Sequence, residues 1–131
     1  MKITLVVVTL FLFAIKCDAR GVDSILVKKL GTYGLTYDFY KTWRKDSCGC
    51  LKLRVNYADE LPANKKLIGM PFKDFIEIFG LPNREENSQR FRYNAFVDCE
   101  NGKPIFISEN FGFLFFYFED GKLTGCVFVI S

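Results

Sequence analysis

The stretch GMPFKDFIEIFGLP, Gly69–Pro82, decides the fold more than any other part of the chain. Its apolar residues recur at i, i+3, i+4 and i+7, and these are Phe72, Phe75, Ile76 and Phe79. This spacing places them on one face of a helix. Pro71 suits the first helical turn, where a missing N–H costs nothing. Gly80 can adopt the left-handed conformation that ends a helix, and Pro82 prevents the helix from resuming. The pattern predicts a short helix that buries one aromatic face.

Downstream of this helix the apolar period changes from helical to alternating. Asn83–Ser88 is polar and predicts a loop, whereas Phe91–Val97 alternates as a strand does. Asn101-Gly102 and Asp120-Gly121 are typical of two-residue hairpin turns, because these residue types tolerate a positive φ. The remaining predicted strands are Pro104–Ser108, Phe111–Phe118 and Lys122–Ile130. Short connections between successive strands predict an antiparallel β-meander.

The region upstream of Gly69 is predicted to be helical. Aromatic residues in Leu35–Asp46 favour a short helix, and Leu51–Leu61 fits both strand alternation and helical spacing, of which we favour the helix. Helices followed by strands predict an α+β fold, in which two short helices pack on one face of a three- to four-stranded antiparallel β-meander. With 131 residues the chain suits one domain, which we place at residues 36–131. Residues 20–35 are predicted to be a loosely ordered N-terminal arm, with a short strand or helical turn near Ser24–Leu30.

The first residues are typical of an export signal. Lys2 supplies a positive charge, and the uncharged, mostly apolar run Ile3–Ile15 is shorter than the ~20 residues of a membrane-spanning helix. Cys17-Asp18-Ala19 fits a small-x-small cleavage site. We therefore predict a signal peptide at residues 1–19 and a periplasmic or secreted protein. The alternative is a lipid on Cys17, which would anchor the protein to the outer membrane; Lys16 is unusual before a lipidated cysteine.

Four cysteines follow the predicted cleavage site, and they are Cys48, Cys50, Cys99 and Cys126. In an exported small domain an even number of cysteines indicates disulfides. Cys48 and Cys50 are too close in sequence to bridge each other comfortably, so each would pair elsewhere, and the pairing stays open. The alternative is that some of them are buried free thiols. Cys48-Gly49-Cys50 lacks the usual spacing of metal ligands.

The composition argues against several kinds of chemistry. The chain has no histidine, which removes the commonest general base and every His-dependent nucleophile or metal site. Its net charge of +3 is too small to indicate a nucleic-acid partner. The acidic pairs Asp59-Glu60 and Glu85-Glu86 are sequence neighbours, which do not face each other on a helix. We predict that the protein is not an enzyme and holds no cofactor or metal ion.

The best candidate for a binding surface is the strand Phe111–Phe118, which is apolar on both faces. Helices on one side of a sheet bury only one of these faces. Exposed aromatic patches usually mark a partner surface. The residues predicted to bind a protein partner are Phe113, Phe115 and Tyr117, and Arg90 and Arg92 could flank them. The alternatives are that the arm segment Val22–Phe39 covers this face or that the chain forms a homodimer through it.

A family resemblance accompanies these patterns. Gly69-Met70, Phe75 and Phe79-Gly80-x-Pro82 resemble the Gly-Met, Val and Leu-Gly-x-Pro helix of a small outer-membrane lipoprotein family. This family includes the BamE (SmpA/OmlA) component of the barrel-assembly machinery. The aromatic strands and Asp120–Leu123 are also similar, so the resemblance covers Leu67–Ile130. Asp46–Arg54 with its Gly-Cys looks like uncharacterised exported proteins of Bacteroidetes-type bacteria.

The resemblance implies two helices packed on a three-stranded antiparallel sheet, an architecture also repeated in the β-lactamase inhibitor protein. It implies binding rather than catalysis, and no catalytic residue carries over from it. We therefore expect a non-catalytic exported binding or scaffold domain. The alternative is an outer-membrane assembly or envelope-maintenance lipoprotein that is anchored to the membrane through Cys17.

Overall fold

The computed structural model describes residues 24–106 and 110–131. The predicted signal peptide at residues 1–19, Cys17 and the first residues of the predicted arm lie outside these ranges. Within them, no helix combines the length and the apolar character that crossing a membrane requires.

Helices precede strands in the described chain, as predicted. The helices are α1 (residues 24–32), α2 (Tyr37–Lys45), α3 (Glu60–Ala63) and α4 (Phe72–Phe79), with 3-10 turns at Arg54–Tyr57 and Lys65–Leu67. The helix predicted over Leu51–Leu61 is wrong for its first residues. The Asp46 carboxylate accepts hydrogen bonds from the backbone N–H groups of Leu51 and Leu53, so these groups are held by a side chain and not by a helix. The rest of that stretch holds the 3-10 turn Arg54–Tyr57 and the first residues of the one-turn α3.

Helix α4 confirms the prediction made from Gly69–Pro82. Pro71 is extended and precedes the first turn, and Gly80 ends the helix with a φ of +77°. The buried residues of α4 are Phe75, Ile78 and Phe79. The buried face is therefore turned slightly from the predicted one, since it includes Ile78 and leaves Phe72 and Ile76 half-buried.

The described strands are β1 (Arg84–Asn87), β2 (Arg90–Phe96), β3 (Asp98–Glu100), β4 (Lys103–Ile105), β5 (Gly112–Glu119) and β6 (Lys122–Ile130). Strands β1, β2, β5 and β6 form an antiparallel sheet in that order. The loop predicted over Asn83–Ser88 is wrong, because residues 84–87 form β1 and pair with β2. A tight turn closes this hairpin, in which the Asn87 side chain accepts a 2.8 Å hydrogen bond from the Gln89 N–H.

The meander is interrupted by a hairpin. Strands β3 and β4, which lie between β2 and β5 in the sequence, form a separate two-stranded sheet. Asn101 and Gly102 both have a positive φ in its turn, as do Asp120 and Gly121 in the turn between β5 and β6, so both predicted turns are confirmed. The α+β fold is confirmed too, with four helices where two were predicted.

Residues 24–32 of the predicted arm belong to the domain. They form α1, whose Leu26 and Leu30 are buried in the main core. Lys29 pairs with Glu77 of α4 at 2.7 Å and with Asp74 at 3.4 Å. The helical spacing of Leu26 and Leu30 explains this packing.

The main core lies between the helices and one face of the sheet. Aromatic rings fill it: Phe75 and Phe79 of α4 both stand 5.0 Å from Phe116 of β5, centroid to centroid. Trp43 of α2 is fully buried, and its Nε1 donates a 2.9 Å hydrogen bond to the carbonyl oxygen of Phe79. The bond satisfies the one polar atom of a large apolar side chain, as buried tryptophans require.

Candidate functional site

The candidate site is the sheet face turned away from the helices, which we call the outer face. Alternation along paired strands assigns its members. They are Arg90, Arg92 and Asn94 of β2, Phe113, Phe115 and Tyr117 of β5, and Gly125, Val127 and Val129 of β6. The side chains between them on β5, among them Leu114 and Phe116, belong to the main core. The structure thus places the three residues predicted to bind a partner side by side on the outer face.

Two arginines lie over the aromatic row of this face. The Arg90 guanidinium is 4.2 Å from the Phe115 ring centre, and that of Arg92 is 4.3 Å from the Phe113 ring centre. Only 7 % of Phe115 and 9 % of Phe113 is exposed, whereas Tyr117 is half-buried. The prediction of an open aromatic patch therefore needs correction, because the chain covers most of two of its rings. The described part of the predicted arm does not cover them, since it packs on the helix side.

One end of the outer face is closed by the β3–β4 hairpin. Val97, Phe113 and Phe115 form a small second core with the Cys50 and Cys99 side chains packed against it. Phe106, which follows β4, stands 6.1 Å from Phe113 and is 51 % exposed. The hairpin therefore extends the apolar surface beyond the sheet.

The opposite side of the outer face is open. Val127 and Val129 of β6 lie beside Phe115 and Phe113 in register, and they are 47 % and 43 % exposed. Strand β6 is an edge of the four-stranded sheet. Across its strands the outer face thus changes from cationic on β2, through aromatic on β5, to open and apolar on β6.

The two arginines differ in their charge partners. Arg92 lies 4.0 Å from a Glu86 carboxylate oxygen, and burial lowers the pKa of Arg92 while Glu86 opposes that shift. Within the described ranges Arg90 makes no ion pair. The Nε atoms of both arginines are buried and have no hydrogen-bond partner there. A cation–π contact does not use the N–H donors of a guanidinium, so these donors can still bind an acceptor.

One disulfide braces this site. Cys50 and Cys99 are bonded, which ties the loop after α2 to β3. Cys48 and Cys126 are free, so the prediction that they too form disulfides is wrong, and the alternative of free thiols describes them. Cys126 faces the helix side, in register with Phe116, and burial raises its pKa to about 12. The sheet thus separates it from the disulfide.

Buried polar residues hold the loop that carries Cys50, and none of them was among the predicted site residues. The Asp46 carboxylate accepts the Leu53 N–H at 2.8 Å, and Asn94 Nδ2 donates to the Cys48 carbonyl oxygen at 3.0 Å. Arg54 is 2 % exposed, and desolvation lowers its pKa to about 10. Isolated charged residues of this kind have the same sequence signature as surface residues.

Apart from the outer face, a concave region lies among α2, α3 and the 3-10 turn that precedes α3. It has a volume of about 250 Å³ and includes Phe39, Tyr57 and Leu61 in its lining. Its polar groups have structural tasks: the Thr36 hydroxyl accepts the Phe39 N–H, and the Asn64 amide donates to the Tyr33 carbonyl oxygen. Glu60 is the one carboxylate among the residues that line it. This arrangement offers no acid–base pair.

In the ranges that the structure describes, no group of Cys, Asp and Glu side chains is arranged to hold a metal ion. No protein-family model matches the chain, and no curated protein is significantly similar to it. The likeness of Gly69–Pro82 to the outer-membrane lipoprotein helix therefore stays a prediction from that motif.

Proposed function

We propose that the protein is a non-catalytic binding or scaffold domain that engages a protein partner through its outer face. The observation that carries this proposal is the pair Val127 and Val129, which are exposed on the outer face beside Phe115 and Phe113. Contiguous apolar surface on a domain that has a complete core elsewhere usually marks an interaction site.

The covered rings of Phe113 and Phe115 fit this role by supporting the binding surface, and they do not themselves make the main contact with the partner. The contact between these two rings and the position of Arg90 over Phe115 fix the shape of this support, so a partner would meet a preorganised surface. Tyr117 and the β6 valines would supply the direct apolar contact. In this proposal the predicted binding residues divide into one rim residue, Tyr117, and two supporting residues.

A binding role also agrees with what the buried and half-buried carboxylates do in the fold. The described carboxylates that are buried or half-buried all have partners. Asp46 accepts from loop N–H groups and Asp74 pairs with Tyr33 and Lys29, while Asp98 pairs with Lys52 and Glu86 with Arg84 and Arg92. We further propose that the protein is exported. The N-terminal apolar run supports this, as does the Cys50–Cys99 bond, because disulfides persist in oxidising compartments.

Site-specific photo-cross-linking in the producing cell tests the proposal. A photoreactive residue at Val127 should cross-link to a defined second protein, and one at Val27 should not. Val27 is a matched control, because it is a valine of similar exposure, 49 % against 47 %, on helix α1. The purified partner should then bind the native chain and lose affinity for Val127→Lys but not for Val27→Lys. Equal cross-linking from both positions would contradict a specific outer-face site.

A further inference from the structure

We propose that the partner segment carries carboxylates, and that Arg90 and Arg92 bind them while β6 receives an adjoining apolar stripe. This inference rests on the proposed function and adds the chemistry of the partner. It follows from the order of the side chains across the outer face: cationic on β2, aromatic on β5, apolar on β6.

The arginines are held in a form suited to recognising carboxylates. Each guanidinium carbon lies over a ring, that of Arg90 4.2 Å from the Phe115 ring centre and that of Arg92 4.3 Å from the Phe113 ring centre. Their planar forks are therefore preorganised, so little side-chain entropy is lost when an anion binds. The buried Nε atoms lack acceptors among the described residues. A carboxylate can take two parallel N–H donors from one guanidinium, which is a strong and directional pair.

The local charge favours an anion. Arg84 of β1 is in register with Arg92, so three arginines share this side of the sheet with Glu86. Glu86 lies 3.6 Å from Arg84 and 4.0 Å from Arg92, which leaves Arg90 outside that network. The net positive charge complements an acidic segment. Three arginines are too few for the extended basic track that nucleic acids bind.

The spacing specifies the segment further. Arg90 and Arg92 are two residues apart on β2, which separates them by about 7 Å along the strand. Two carboxylates at i and i+2 of an extended segment match this distance. The same segment would place apolar side chains over Tyr117 and Val127. The expected partner is thus an extended acidic peptide with an apolar flank, lying along the strands.

Selection from a display library of random peptides, each about ten residues long, tests the inference on the full chain. The enriched peptides should share two acidic residues next to apolar ones. A representative synthetic peptide should bind at least about tenfold more weakly to Arg90→Gln and Arg92→Gln, and its affinity should fall as salt is raised. Arg44→Gln, on the helix side, should bind as the native chain does. Arg90→Lys keeps the charge without the planar fork and should recover only part of the affinity.

Three outcomes would overturn the inference. The enriched peptides could lack acidic residues, and bind the native chain but not Val127→Lys. This result would reject the carboxylate chemistry and leave the proposed function standing. Acidic peptides that bind Val127→Asn, which adds no charge, as tightly as the native chain would reject both. Binding to vesicles of phosphatidylglycerol, lost in Arg90→Gln, with no peptide enriched would assign the arginines to lipid phosphates instead.

Discussion

The guanidinium carbon of Arg54 lies 4.4 Å from the ring centre of Trp43, and its Nε donates a 3.0 Å hydrogen bond to the carbonyl oxygen of the same tryptophan. A fully buried cation is thus held against the largest ring of the core. Its Nη1 also donates to Asn83 Oδ1 at 3.3 Å. Through these two hydrogen bonds Arg54 connects α2 to the loop before β1. The ordinary cost of burying a charge is offset here by ring contact and hydrogen bonds.

Replacing this arginine should therefore be costly. We expect Arg54→Met to lower the free energy of unfolding by about 2–4 kcal/mol, because the Trp43 carbonyl oxygen and Asn83 Oδ1 each lose one donor and the buried Asp46 carboxylate loses a nearby positive charge. Urea denaturation measures the loss. Arg44→Met is the matched control, since Arg44 stacks 5.6 Å from the Tyr40 ring but is exposed, and it should cost less than about 1 kcal/mol. Equal losses would show that burial of Arg54 is not what stabilises the fold.

Gly112 tests the packing at the start of β5. A Cβ at this position would overlap the Phe96 ring and approach Phe128 Cε1 to 2.9 Å. Gly112→Ala should thus cost about 1–3 kcal/mol by overpacking. Gly125 of β6 has open space around its Cα and no positive φ, so Gly125→Ala should change stability by less than about 0.5 kcal/mol. A thermal melt of both variants checks the pair, and similar melting temperatures would contradict the packing described for Gly112.

The Cys50–Cys99 bond should be a large contributor to stability. It closes a loop with a sequence separation of 49, for which chain entropy alone gives about 4 kcal/mol. We expect the double variant Cys50→Ala/Cys99→Ala to lose an amount of this order in urea denaturation. Cys48→Ala should leave the free energy of unfolding nearly unchanged, because Cys48 is free. A large loss in the Cys48→Ala control with none in the double variant would contradict the Cys50–Cys99 bond.

Stability should fall in alkaline solution. Burial raises the pKa of Cys126 from 9.0 to about 12, and burial together with the Asp74 hydrogen bond raises that of Tyr33 from 10.0 to about 12. The unfolded chain then releases these protons first, so the stability that these two groups contribute is intact below about pH 9 and is lost as the pH rises towards 12. Cys126 alone should account for about 1 kcal/mol at pH 10.

The variant Cys126→Ala isolates this contribution. Its free energy of unfolding should be lower than native at pH 7, because a small cavity replaces the thiol, but it should decline less steeply between pH 8 and pH 10.5. Urea denaturation across this range gives both slopes. Parallel pH profiles for the two proteins would show that the thiol does not titrate as described.

The sequence predicted best those elements whose local chemistry and core packing agree. Helix α4 has a proline before its first turn, an aromatic face and a glycine after its last turn, and all three act within the segment itself. Strand β1 could not be predicted in this way. Its four residues, Arg84–Asn87, are polar, and pairing with β2 alone makes them a strand.

The outer face shows the same limit. Alternation correctly placed Phe113, Phe115 and Tyr117 on one side, because side-chain direction is a property of the strand. Their covering could not be predicted, since it depends on the rotamers of Arg90 and Arg92 on a neighbouring strand. A long side chain that lies across an aromatic ring leaves no periodic trace in the sequence.

The Cys50–Cys99 bond has a mechanical consequence. It joins the loop after α2 to β3 and encloses α3, α4, β1 and β2 within one covalent ring. When the folded chain is pulled by its two ends, these elements carry no tension, and roughly 160 Å of chain cannot be extended. Among the described elements, force reaches α1 and α2 on one side of the ring and the strands from β3 onward on the other. The helix on which the fold depends most, α4, is thus shielded from stretching for as long as the bond is oxidised.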